Sequence, residues 1–134
     1  MKSMFNKSSF NSDINYWDVS NVISMAYMFQ SSLFNQPIGD WDVSSVRNMK
    51  VMFSNTPFNQ PIGDWDVSSV TNMRSMFGGA YDFNQDISNW DVSNVTDMGY
   101  MFYSASSYNQ DLSSWSVNGV TDCYNFSRGT TSWT

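Results

Sequence analysis

Apolar residues recur along this chain in one pattern that is written five times. In the second copy of the pattern they are Phe34, Ile38, Trp41, Val43, Val46, Met49, Met52 and Phe53. The tryptophan of the pattern returns after 24, 24, 25 and 25 residues, at Trp17, Trp41, Trp65, Trp90 and Trp115. A fixed period of this size is typical of proteins in which each unit stacks only on its neighbours. The sequence therefore predicts a repeat solenoid.

Two apolar periodicities share each repeat and predict two elements. The Trp-x-Val segment alternates with period two and contains residues that favour strands, so it predicts a short strand. The apolar steps from Val46 to Phe53 are three, three and one, which is typical of one face of a short helix. Ser44 or Ser45 would be its N-cap. The predicted fold is an α/β repeat solenoid with one short strand and one short helix per repeat.

The period also sets the boundaries within what we expect to be a single solenoid domain. A partial repeat covers residues 1–9, and the full repeats are 10–33, 34–57, 58–82, 83–107 and 108–134, the last including a C-terminal cap. The opening MKSMFNKSS aligns with Met49–Pro57, so we expect a fragment of a longer array, or else a half-coil that caps itself. In the cap we expect Trp133 over the last coil and Cys123 as a small buried residue.

Composition excludes several classes of function. The formal net charge is −6, and all twelve acidic residues are aspartate. This acidity argues against nucleic acid and anionic membranes as partners. No apolar run approaches the roughly 18 residues of a membrane span, so we expect no membrane insertion. With no histidine, one cysteine, no nucleophile elbow and no phosphate loop, the chain is predicted to be neither an enzyme nor a cofactor-binding protein.

The unit FNQxIxxWDVSxVTxMxxMF resembles a tandem repeat of roughly 25 residues found in bacterial surface proteins and related to BspA-like leucine-rich repeats. The resemblance covers Met1–Phe126. It implies a leucine-rich-repeat-like right-handed coil, an extracellular or cell-surface location and a role in adhesion, and it brings no catalytic residues. No signal peptide or anchor is visible in the sequence itself.

Two polar columns accompany the apolar ones. The Asn and Gln that follow the leading phenylalanine predict an internal amide ladder, with a carbohydrate-binding row as the alternative. The aspartates of the WDV motif point away from the buried Trp and Val. We call them the WDV aspartates: Asp18, Asp42, Asp66 and Asp91. They predict a solvated row bonded to nearby serines, with a cation site at Asp42, Asp66 and Asp91 as the weaker alternative, because calcium wants about six to eight oxygens.

The segment predicted to be helical varies most between repeats, and variation of this kind is where specific recognition could be encoded. The candidate binding face therefore combines charged and aromatic residues from this segment with the WDV aspartates. Its members are Asp18, Asp42, Asp66, Asp91, Arg47, Lys50, Arg74, Tyr27 and Tyr100.

Three hypotheses for function remain at this stage. The leading one is a non-enzymatic binding or adhesion module displayed on a surface, with an unknown protein or glycan ligand. The second is a structural subunit of a fibre, surface layer or virus-like particle, and the third is an ice-binding solenoid. Only Met4 and Phe5 would cover the first full coil, which predicts weak end-to-end self-association.

Overall fold

The repeats stack in register in the computed structural model, which describes residues 1–133. Residues one repeat apart pair as isolated parallel β-bridges, at Ser24, Asn48, Asn72, Asp97 and Asp122. Within residues 1–133 there is no helix, and no strand extends beyond these single bridges. It follows that nothing in this range has the long apolar helix needed to cross a membrane. The architecture is a column of stacked turns.

Backbone hydrogen bonds along one side of every repeat join the column. At each junction between full repeats, four N–H groups of one repeat donate to four carbonyls of the next. Between the first two full repeats these bonds measure 2.8–3.0 Å and are Met25 to Asn48, Tyr27 to Lys50, Phe29 to Met52 and Ser31 to Ser54. One N–H runs the other way, from Arg47 to the Ile23 carbonyl at 2.9 Å. We call this set the junction ladder.

The segment predicted to be a helix is instead a run of β-turns. The Met28 N–H donates to the Met25 carbonyl at 3.1 Å, and Ser32 N–H donates to the Phe29 carbonyl at 3.0 Å. The third residue of each turn has a positive φ, 60° at Tyr27 and 55° at Ser31, which is typical of type II turns. A helix needs φ near about −60° throughout. The same left-handed position recurs in the other repeats at Ser3, Val51, Ser75, Tyr100 and Asn125.

The prediction of an α/β, leucine-rich-repeat-like coil with a helix in each repeat is therefore wrong. The physical reason lies in the junction ladder. Alternate N–H groups bond to the next repeat and the N–H groups between them close turns, so none bonds to the carbonyl four residues back as a helix requires. Turns closed over three residues also return the chain to the same side every third position. The spacing of Val46, Met49 and Met52 thus fits turns as well as a helix.

The predicted strand is absent as well. Trp41 and Val43 are buried and Asp42 is exposed, so the predicted alternation of burial is confirmed. However, turn bonds close on both sides of this segment, Trp41 N–H to Ile38 at 3.2 Å and Val46 N–H to Val43 at 2.8 Å. Its backbone makes none of the described hydrogen bonds to a neighbouring repeat. Without that pairing the three residues are an extended corner and not a strand.

The core consists of columns of like aromatic rings. Phe53 stacks on Phe29 at 5.7 Å and on Phe77 at 5.8 Å, while Phe58, the first residue of the next repeat, lies 4.0 Å from it. The tryptophans form a parallel column, with Trp65 and Trp90 separated by 6.4 Å. All eight apolar columns are buried in the central repeats, which confirms that prediction.

The last repeat is closed by an aromatic side chain from the tail. Trp133 lies edge-on against Phe102 at 5.5 Å and Tyr108 at 5.2 Å, so its ring packs over the end of the stack as expected. Cys123 was expected to be buried, but it is exposed. It occupies the core column of Met98, in the last of the described repeats.

The tryptophan column generates the first prediction. Trp65 is 4% exposed and its indole N–H donates to the Ile38 carbonyl at 3.1 Å. We expect Trp65→Ala to lower the free energy of unfolding by about 3–5 kcal/mol, because it leaves a cavity in the stack. Tyr16→Ala, at a ring that is 81% exposed, is the control and should cost less than about 0.5 kcal/mol. A loss below about 1 kcal/mol for Trp65→Ala in denaturant melts would contradict the inward assignment.

The left-handed turns generate the second prediction. Val51 has a φ of 61°, which is strained for a β-branched residue by about 1–2 kcal/mol. We expect Val51→Gly to raise the free energy of unfolding by about 1 kcal/mol, since glycine adopts this conformation without strain. In a helix the same change would cost about 0.5–1 kcal/mol. Val67→Gly, at a buried position with ordinary φ, should destabilise in the same melts, and destabilisation by both variants would argue for the helix.

Candidate functional site

The amide columns are half-buried in the central repeats and hold neighbouring repeats together. Asn59 N–H donates to Asn35 Oδ1 at 2.9 Å, and Gln60 Nε2 donates to the same oxygen at 3.1 Å. The same contacts recur one repeat later, where Asn84 and Gln85 donate to Asn59 Oδ1. These bonds confirm that the columns act as a ladder between repeats, in which the Asn Oδ1 and Gln Nε2 atoms are already used.

The WDV aspartates form an exposed row, each bonded to the serine two residues later. Asp42 Oδ1 accepts from the Ser44 hydroxyl at 2.6 Å and from the Ser44 N–H at 3.1 Å. These two bonds hold the pKa of Asp42 below its usual 3.8. Because the folded pKa is the lower one, the stability that these bonds contribute is present above the unfolded pKa and is lost as the pH falls through the folded value.

The remaining members of the candidate face form a second, separate group. Lys50 lies over the Tyr27 ring at 5.7 Å, and Arg74 lies over the Tyr100 ring at 5.0 Å. Over the described part of the chain, no hydrogen bond, ion pair or ring contact joins these four residues to the WDV aspartates. Arg47 is exposed and its guanidinium donates to the Ser45 carbonyl at 3.4 Å. The described contacts therefore do not join the predicted face into one site.

Arg74 is fixed by two aspartates that sequence reasoning missed. Its Nη1 lies 2.8 Å from Asp122 and 3.6 Å from Asp97. Gly99 stands between them, and a Cβ at that position would come within 2.6 Å of the Arg74 guanidinium. The missed signal is an acid in the column two residues before the Arg74 position, present only in the last two repeats. Neither around Arg74 nor elsewhere in residues 1–133 do three or more metal-ligating side chains form a group that could hold a metal ion.

A groove lies beside Tyr100 on the turn side of the column. It crosses three repeats, has a cavity volume of about 340 Å³ and has three tyrosines along it, Tyr81, Tyr100 and Tyr103. The other lining residues are small and uncharged: Ser54, Asn55, Ser75, Gly78, Gly79 and Ser104. We call this feature the tyrosine groove. Tyr81 and Tyr103 are 52% and 39% exposed, so their rings are available to a ligand.

The sequence places this groove where the period lengthens from 24 to 25 residues. The extra residue lies beside Tyr81, whose ring therefore lies outside the core column. Gly79 has a φ of 69°, and a Cβ there would collide with the Asn55 amide oxygen as it is placed, so glycine leaves space in this part of the groove that a side chain would occupy. On the opposite side, Tyr100 is held by Arg74 and by the edge of Tyr103 at 5.7 Å.

Sequence reasoning identified one of the three tyrosines. Tyr100 and its partner Arg74 were found because they vary within a repeat column. Tyr81 and Tyr103 were missed, although the change of period next to them was visible in the sequence. An inserted residue in a regular array has no place in the core columns and must lie at the surface. A change of period therefore marks a surface feature.

Fold and groove together define a non-helical turn-repeat protein with a tyrosine-lined groove on its turn side. A family model described as "Mycoplasma protein of unknown function, DUF285" matches residues 1–58 and again residues 34–133. The chain belongs to that family. The match does not extend to BspA-like leucine-rich repeats in particular, and neither a curated protein nor a solved structure matches the chain.

The aspartate row generates the third prediction. Asn would keep the oxygen that accepts from Ser44 or Ser68 and would remove like charge from the row. We therefore expect the double variant Asp42→Asn with Asp66→Asn to melt at the same temperature as the parent chain or higher. Added calcium should change the melting temperature of neither the parent chain nor the double variant. A calcium-dependent rise of several degrees that disappears in the double variant would make the row a metal site.

Proposed function

We propose that this chain is a non-enzymatic binding module, displayed on the bacterial surface, that recognises its ligand through the tyrosine groove. The observation that carries the proposal is the lining of the groove, which consists of tyrosine, serine, glycine and asparagine. Recognition loops use the same four residues, because tyrosine supplies rigid contact area and the small polar residues supply adaptable hydrogen bonds. Surface display rests on the resemblance of the repeat to those of bacterial surface proteins.

Rigidity supports this function further. The groove lies on the side of the column that the junction ladder holds, and Tyr100 is fixed by Arg74, which Asp97 and Asp122 restrain in turn. A site that is ordered before binding loses little conformational entropy when the ligand arrives. The ion pairs also leave Arg74 compensated, so Tyr100 is positioned without a free positive charge beside the groove.

The second candidate is a structural subunit that stacks end to end. Its supporting observation is the direction of the junction ladder, which gives every repeat donors on one side and acceptors on the other. Against it, the ring of Trp133 packs on Phe102 and Tyr108, where a further unit would have to stack. Concentration-dependent light scattering separates the two, because a discrete monomer supports the binding module and indefinite growth supports the fibre.

The fourth prediction tests the binding module with a residue that another repeat already carries at the equivalent position. Gly78 occupies the repeat position that is Gln30 in the first full repeat, and a Cβ at Gly78 would have 3.4 Å to its nearest neighbour. Gly78→Gln should therefore fold normally and fill the groove. Beads coated with the chain should bind members of a combined glycan and extracellular-protein array, and the Gly78→Gln chain should lose that binding by about tenfold or more.

The matched control is Tyr16→Ser, which removes a ring that is 81% exposed and lies outside the groove. It should bind as the parent chain does. Binding that survives Gly78→Gln but is lost in Tyr16→Ser would place recognition on another face and contradict the proposal.

A further inference from the structure

We propose that the ligand of the tyrosine groove is an uncharged carbohydrate. This inference rests on the proposed function and names the chemical class of the ligand. The first step concerns the charge of the groove. The groove is lined by tyrosine, serine, glycine and asparagine, and the chain as a whole carries a formal charge of −6. An anionic ligand would be repelled and would lose hydration without a counter-charge in the groove.

Hydrogen-bonding capacity is the second step. Across residues 1–133, no described hydrogen bond uses the side chains of Ser54, Asn55, Ser75 or Ser104. Hydroxyls elsewhere in the repeat are used, since Ser32 donates to the Phe29 carbonyl at 2.7 Å and Thr56 donates to Phe53. The groove thus keeps a set of donors and acceptors that the fold does not need. A polyhydroxylated ligand is the class that matches such a mixed set.

The exposed rings are the third step. The C–H face of a sugar ring is apolar while its rim is polar, and an aromatic ring flanked by hydroxyls and amides complements both. Tyr81 and Tyr103 are exposed at 52% and 39%, and both line the same cavity as the unused serines. Their phenolic hydroxyls add further partners for the rim of the sugar.

Size and backbone pairing favour a sugar over a peptide. The cavity of about 340 Å³ lies at the lower end of ordinary ligand sites, about 300–1,000 Å³, which suits a short stretch of a glycan. A peptide that adds as a strand needs unpaired backbone groups along an edge. Beside the groove those groups are taken, because Ser75 N–H donates to Gly99 and Gly79 N–H donates to Tyr103 across the junction.

The test is titration with uncharged mono- and disaccharides, including N-acetylhexosamines, followed by saturation-transfer NMR and calorimetry. We expect saturation transfer to at least one of these sugars. Tyr103→Ser takes its serine from the equivalent Ser54, and Gly78→Gln fills the groove, so each should weaken binding by about tenfold or more. Tyr16→Ser should bind the sugar as the parent does, and thermal melts of all variants establish that they are folded.

Each other outcome overturns the carbohydrate assignment. Failure of every uncharged sugar, exclusive binding of sialylated or sulfated sugars, binding of choline alone, or binding of a proline-rich peptide in their place would do so. Sugar binding that persists in Gly78→Gln would also do so, because the site would then lie elsewhere. If an array protein binds the parent chain and not Gly78→Gln while no sugar binds, the binding module stands and this inference alone fails.

Discussion

The rest of the structure depends on the backbone hydrogen bonds that each repeat donates to the next. Because alternate N–H groups are committed to these bonds, the intervening residues must close on themselves as turns. Turns of this kind need left-handed residues, and the chain accepts them even at Val51 and Tyr100. The backbone register then sets the side-chain register, so that Phe53 lies directly between Phe29 and Phe77. Core, corners and groove all follow from one spacing between repeats.

Burial could be predicted from the sequence, whereas the type of backbone could not. Trp65 and Asp66 alternate between buried and exposed because the apolar period reports which side a residue faces, whatever the element. The steps from Met49 to Phe53 are shared by a helical face and by a run of turns, so they do not discriminate. The difference lies in whether an N–H bonds within the repeat or to the next one. Each repeat has two left-handed residues, and the second of them, such as Asn55 or Gly79, is often a residue that favours this conformation. Those residues were the available hint of turns in place of a helix.

The candidate site was predictable only where it follows a column. Tyr100 and Arg74 vary within columns and were found, while Asp122 lies 48 residues from Arg74, two repeats along, and was not. Tyr81 belongs to the inserted residue and so has no column at all. Repeat alignment reveals what the copies share, and the groove is built from what they do not share. The departures from the period therefore contain more information about recognition than the period itself.

The uniform direction of the junction ladder has an electrical consequence. Between full repeats, four carbonyls point toward the N-terminal side and four N–H groups point toward the C-terminal side, against one or two bonds in the opposite sense. Aligned peptide dipoles add, and hydrogen bonds in chains polarise one another. The column is therefore a polar rod, negative at its first repeat and positive at its last, which is the reverse of an α-helix. Each further repeat would extend the same macroscopic dipole.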